Sequence, residues 1–163
     1  AEQPSAAQDP VLLYAVETAI QMTLTELNEN LREIYIEAYT EKEASEYIFR
    51  ETAKELHGIF GSYLPDATER DFYDMEIGSA SIMRGYMAHP CDGELTLEKK
   101  LRLFLTMSLR AYSVPKEEVE QVIRFVEGLD IRGIAEQVMQ KLFKALAMRY
   151  EFSLTGLTEP VKK

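Results

Sequence analysis

Apolar and small residues recur at Leu13, Val16, Ile20, Leu24, Leu27, Leu31, Ile34 and Ala38, in steps of three and four that hold one helical face. The stretch from Val11 to His57 around them contains neither Gly nor Pro. Asp9-Pro10 opens it with an acceptor for free amides and a ring suited to a first helical turn. A first helix is therefore predicted from about Pro10 to Tyr39. Thr40 and Glu43 have the spacing of a capping box, which predicts a break near Thr40 and a second helix from about Glu41 to Phe60. Its inward candidates are Phe49, Ala53, Leu56, Phe60 and Tyr63.

Gly61 and Leu64-Pro65 end that helix, and Asp66 with Glu69 starts a third, from about Ala67 to Ala88. His89-Pro90-Cys91-Asp92-Gly93 reads as a loop. A fourth helix, from about Thr96 to Ser113, turns Leu97, Leu101, Phe104, Leu105 and Tyr112 inward. Pro115 begins a fifth, striped with Val119, Val122, Ile123 and Val126 and closed by Gly128. The sixth, from about Ile131 to Tyr150, carries two stripes. One is Ile131, Ile134, Val138, Leu142 and Leu146; the other is Ala135, Met139, Phe143, Ala147 and Tyr150. No segment alternates with a period of two. The fold class predicted is all-α, an antiparallel bundle of about six helices with short turns. Residues 9–152 form its single domain. Residues 1–8 read as a linker or an expression remnant with a further segment upstream, and 153–163 as a frayed tail.

Composition narrows the functional classes. No apolar run approaches the ~20 residues that span a bilayer. The net charge is −10, and half of that excess lies between Glu26 and Glu55. Such a surface repels phosphate backbones and anionic membranes. It is either a solvated face or a docking surface for a basic partner. Cys91 is the only cysteine, which excludes an intrachain disulfide and fits a cytoplasmic location. No Gly-x-Ser-x-Gly elbow, phosphate-cradling loop or dinucleotide fingerprint occurs, so an enzyme is not expected. His89 and Cys91 are two ligand types in one loop, too few for a metal, and no cofactor is expected.

The third helix holds the candidate site. Gly78, Ser81 and Gly85 form a smooth seam, either for close helix packing or beside an open space. Phe72, Met75, Ser79, Met83, Tyr86 and Met87 lie on this helix, and Met107 and Tyr112 on the fourth are placed to face it. Met and aromatic side chains suit adaptable apolar pockets, though the same stripe also suits a core. Glu76 sits at the rim or serves as a polar anchor for a cationic or hydrogen-bonding ligand. Tyr14, Tyr35 and Tyr47 offer hydroxyls that reach inward or cover the surface. The ligand-lining candidates are Phe72, Met75, Glu76, Ser79, Met83, Tyr86, Met107 and Tyr35.

Three phrases carry a resemblance: Asp9-Pro-Val-Leu-Leu-Tyr-Ala-Val-Glu-Thr-Ala, Asn28-Glu-Asn-Leu-Arg-Glu-Ile-Tyr-Ile-Glu-Ala-Tyr, and Val114-Pro-Lys-Glu-Glu-Val-Glu leading to Leu129-Asp-Ile. With the helix order, residues 9–147 resemble the C-terminal effector-binding and dimerisation domain of TetR-type transcriptional regulators. The resemblance implies a small, largely apolar or amphipathic effector held between helices. It also implies a homodimer through the last two helices, and operator DNA read only by an N-terminal helix-turn-helix that residues 1–163 do not contain. On that reading Val119, Ile123, Val138, Leu142 and Leu146 form the dimer surface. The double-striped last helix fits, with one stripe for the core and one for a partner. The alternative is an acidic helical adaptor without a small-molecule cavity.

Overall fold

The computed structural model describes residues 9–155, with side chains as far as residue 147. The expected linker at 1–8, the end of the expected tail and the side chain of Tyr150 lie outside this description. Seven helices and no strand are found among the described residues: α1 (Pro10–Leu27), α2 (Glu29–Ala38), α3 (Lys42–Phe60), α4 (Glu69–Met87), α5 (Leu97–Ala111), α6 (Lys116–Glu127) and α7 (Ile131–Thr155). The fold is an all-α bundle, with one helix more than the sequence pattern predicts.

The extra helix arises at Asn28. Its backbone is extended (φ −149°, ψ 120°), and its side-chain oxygen accepts from the Leu31 amide at 3.0 Å. Asn competes with the helical backbone in this way, so it caps α2 instead of continuing α1. Nor is Thr40 the cap of α3. Its hydroxyl donates to the Ile36 carbonyl and accepts from Arg84, while the Glu41 carboxylate accepts from the Ala44 amide at 2.7 Å. At α4 a capping box does form, two residues beyond the Asp66 and Glu69 pair expected to start the helix. Thr68 accepts from the Asp71 amide, and the Asp71 carboxylate accepts from the Thr68 amide.

The bundle is built around α1, which packs against every other helix. Its main buried face is Val11, Leu12, Ala15, Ala19 and Met22, on a different side of the helix from the stripe the periodicity marks. Ala15 and Ala19 are fully buried because small side chains let the neighbouring helices approach closely. Part of the marked stripe is used elsewhere: Ile20, Leu24, Leu27 and Leu31 pack with Ala135 and Met139 of α7. Leu13 and Ile34 remain exposed. Phe60, Phe72, Leu101, Phe104, Leu105, Leu109 and Tyr112 fill the centre together with the valines of α6.

A buried ion cluster ties the end of this bundle. Lys100 is fully buried and donates to Glu26 and to the Tyr86 and His89 carbonyls. Arg32 meets the other Glu26 oxygen at 3.3 Å and donates to the Met87 carbonyl at 2.7 Å, and the Cys91 amide also donates to Glu26. Burial opposes the charge on Glu26, but these hydrogen bonds and the Lys100 charge hold its carboxyl at about 2. One carboxylate thus links α1, α2, α5 and the loop after α4.

The end of α5 matters for the site. Ser113 adopts φ 63°, the Val114 amide donates to the Leu109 carbonyl, and the Ser113 amide donates to Arg110. This left-handed helix end closes α5 without glycine. It leaves Tyr112 and Val114 fully buried and brings the Tyr112 hydroxyl to Glu76.

Candidate functional site

A cavity of about 120 Å³ opens between α1, α3, α4 and the end of α2, with Phe104 of α5 at its back. Glu76, Ser79, Ala80 and Met83 form its α4 wall, Tyr14, Glu17, Thr18 and Gln21 its α1 wall, and Thr52, Glu55, Leu56 and Ile59 its α3 wall; Tyr39 closes the α2 side. Glu17 and Glu55 are exposed at the mouth, whereas Glu76 is only 6% exposed.

Helix geometry explains the wall. Glu76, Ser79, Ala80 and Met83 follow steps of three and four, so one face of α4 presents a carboxylate, a hydroxyl, a gap and a thioether. Beneath them the Tyr112 hydroxyl donates to Glu76 Oε2 at 3.2 Å. Tyr14 and Ser108 share a hydrogen bond at 2.5 Å, and the Ser79 and Ser108 hydroxyls lie 3.4 Å apart. An aromatic stack fixes this polar chain. The Tyr112 ring lies 4.5 Å from Phe60 at 5° and 6.1 Å from Phe72 at 15°, and Tyr14 meets Phe60 edge-on at 5.1 Å.

Burial dominates the electrostatics. It pushes the Glu76 carboxyl up to about 7, against the opposing effect of the Tyr112 hydrogen bond. Burial pushes the Tyr14 phenol up to about 12, and the Glu76 charge adds to this. Tyr39 and Tyr112 are raised for the same two reasons. Near neutral pH the cavity therefore holds neutral phenols and one carboxyl poised between its two forms. No group of three or more metal-ligating side chains occurs among the described residues. No helix among them is long and apolar enough to cross a membrane.

Of the ligand-lining candidates, Glu76, Ser79 and Met83 come together on this cavity. Phe72 does not line it; it is fully buried between His57 and Tyr112. Met75 and Tyr35 are half-buried against the core, and Tyr39, one turn after Tyr35, takes the position at the wall. Tyr86 and Met107 meet instead in a shallow groove on the outer side of α4, beside Ser81 and Gly85. The small-residue seam faces outward as well. A Cβ added at Gly78 or Gly85 would touch nothing within 4 Å, so the seam neither packs closely nor borders the cavity. Tyr47 lies at the surface.

Among the dimer candidates, Val119 and Ile123 are core residues, 2% and 1% exposed, and offer no surface. The α6 stripe is consumed by packing on α1 and α5. Val138, Leu142 and Leu146 are exposed, and Phe143 with them. Glu17, Tyr39, Thr52, Glu55 and Ser108 carry no periodic apolar signal. The nearest hint of them is Glu17 with Gln21, a polar pair one turn apart on α1.

A second recess of about 270 Å³ lies between α5, α6 and the start of α7. Its floor is apolar, and the Arg102 at its edge already pairs with Glu120 and Glu127. It lacks a buried polar group to orient a guest. No protein-family model, curated protein or solved structure matches the chain.

Proposed function

We propose that this chain is the effector-binding and dimerisation domain of a TetR-type transcriptional regulator. The observation that carries the ligand-binding part is the cavity itself: an interior space among packed helices with a buried carboxyl, Glu76, at its wall. Proteins leave few voids larger than a water in a packed core. A lined, polar-anchored space that opens to solvent is the usual form of a small-molecule site. Its size is below the ~300–1,000 Å³ of pockets for drug-sized ligands. It is nearer the ~150 Å³ of a cavity that admits benzene. The effector, or the part of it inserted here, is correspondingly small.

The second half of the reading rests on α7. Its outward residues Val138, Leu142, Phe143 and Leu146 make an apolar face that a second copy would cover in a homodimer. In the regulator, occupancy of the cavity would alter the relative placement of α1 and α4, and the dimer would transmit that change to paired helix-turn-helix domains upstream. Operator DNA would meet those domains only, since this chain is strongly acidic.

Two measurements test the reading. NMR titration of the protein with compounds of five or six heavy atoms should give saturable shifts at the amides of Glu76, Ser79 and Met83; shifts that fail to saturate for every compound overturn the ligand site. In the genome, the reading frame immediately upstream should encode a helix-turn-helix, and an unrelated sequence there overturns the regulator.

A further inference from the structure

Three carboxylates, Glu17, Glu55 and Glu76, line the cavity, and no lysine, arginine or histidine does. Their arrangement is graded. Two stand exposed on opposite helices at the mouth, and the third is 6% exposed inside. Like charges rimming a low-dielectric recess focus the field and raise the local concentration of the opposite charge.

Glu76 is incompletely partnered. Tyr112 donates to Oε2, and among the described residues Oε1 receives no hydrogen bond. No fully buried side-chain polar atom lacks a partner, so Oε1 retains access to the cavity that Glu76 lines. Tyr39 is also underused, since its hydroxyl has only the Met83 sulfur at 3.9 Å. A buried carboxylate with a vacant oxygen suits an N–H donor that carries a positive charge, because the pair offsets the cost of burying either ion alone. Aromatic walls favour the same charge.

We propose that the cavity selects a small organic monocation, a primary alkylammonium of about four to six heavy atoms, with its ammonium on Glu76 and its carbon chain against Met83 and Phe104. The proposal rests on the cavity being a ligand site and specifies what that site accepts. An uncharged guest of the same shape leaves Glu76 without a counter-ion. A carboxylate guest meets three like charges.

Burial holds the Glu76 carboxyl near 7, so its ionised form predominates only above that pH. The other titratable groups facing it are the Tyr14, Tyr39 and Tyr112 phenols, all neutral there, and the rim carboxylates Glu17 and Glu55. An alkylamine, like a lysine side chain, stays protonated well above pH 8. Ligand binding therefore follows the ionisation of Glu76.

The test compares n-butylamine, n-butanol and butyrate by NMR titration at pH 8, with the wild-type protein and Glu76→Gln. The amine should bind at least about tenfold more tightly than the alcohol, and its affinity should fall as pH drops from 8 to 5.5. Butyrate should not displace it. Glu76→Gln should abolish the preference by weakening the amine, while n-butanol still gives saturable shifts at the cavity amides. Equal affinity for alcohol and amine overturns the proposal but leaves a ligand site. A preference that survives Glu76→Gln also overturns it, because it would belong to the general acidic surface. Failure of all three compounds to give saturable shifts removes the ligand site and the proposal together.

Discussion

At the scale of single residues, Glu76 and Glu26 show how one side-chain type acquires opposite behaviour. Glu26 is met by Lys100, Arg32 and a backbone amide, and stays ionised far into acid. Glu76 has one phenol hydroxyl and no cation, and burial raises it. The linkage signs follow. Glu26 contributes stability above about pH 4.5 that is lost as pH falls toward 2. Glu76 binds its proton more tightly when folded, so its contribution is complete below about 4.5 and disappears as pH rises through about 7. A rise of this size corresponds to a few kcal/mol, on the order of 3 at full ionisation. Glu76→Gln keeps an acceptor for Tyr112 and removes the charge. Urea unfolding at pH 8 should show the variant more stable by roughly 2–3 kcal/mol, with the difference vanishing near pH 4. A constant difference across that range would show that Glu76 does not titrate as its burial implies.

At the scale of elements, the helices are bounded by local chemistry that the sequence displays, but competing caps decide the boundaries. Asn28 interrupts a long apolar pattern because its side chain bonds forward to Leu31. Arg84 draws the Thr40 hydroxyl away from a capping role that Glu41 then fills. The glycines of α4 are a separate matter. Gly78 and Gly85 lie inside a helix, with open space where a side chain would go. Gly costs up to ~1 kcal/mol relative to Ala at such positions. Gly78→Ala and Gly85→Ala should each raise stability by about 0.5–1 kcal/mol in thermal or urea unfolding. Destabilisation by either would mean that the outer face of α4 is covered in solution.

At the scale of the whole molecule, α7 is the element on which the proposed dimer rests. Its first turns bury Ile131 and Ala135 and bring Met139 against α1; from Gln140 to Ala147 every side chain is exposed. Leu142, Phe143 and Leu146 are thus presented beyond the body of the bundle, next to Lys141 and Lys144, on a molecule of net charge −10. Sedimentation at micromolar concentration should show a dimer. Leu142→Glu should shift it to monomer without changing the circular dichroism of the helices. A wild-type monomer at that concentration would remove the dimer from the proposed function.

Periodicity, caps and breakers by themselves determined that this chain is helical, where most helices lie, and that α4 carries Glu76, Ser79 and Met83 on one face. They also determined that α7 has more apolar surface than one neighbour can cover. These are properties of neighbouring residues along a chain, set by a 3.6-residue turn and by local hydrogen bonds. Tertiary structure alone decided which apolar face of α1 meets the core, since Ala15 and Ala19 gain their value from how closely other helices approach. It alone brought Tyr14, Tyr39 and Glu55 to Glu76 and assigned Val119 and Ile123 to the interior. It also joined Glu26 to Lys100 across 74 positions of chain. Burial and charge pairing depend on what arrives from distant segments, and the same glutamate reads identically in sequence whether a lysine or an empty space awaits it.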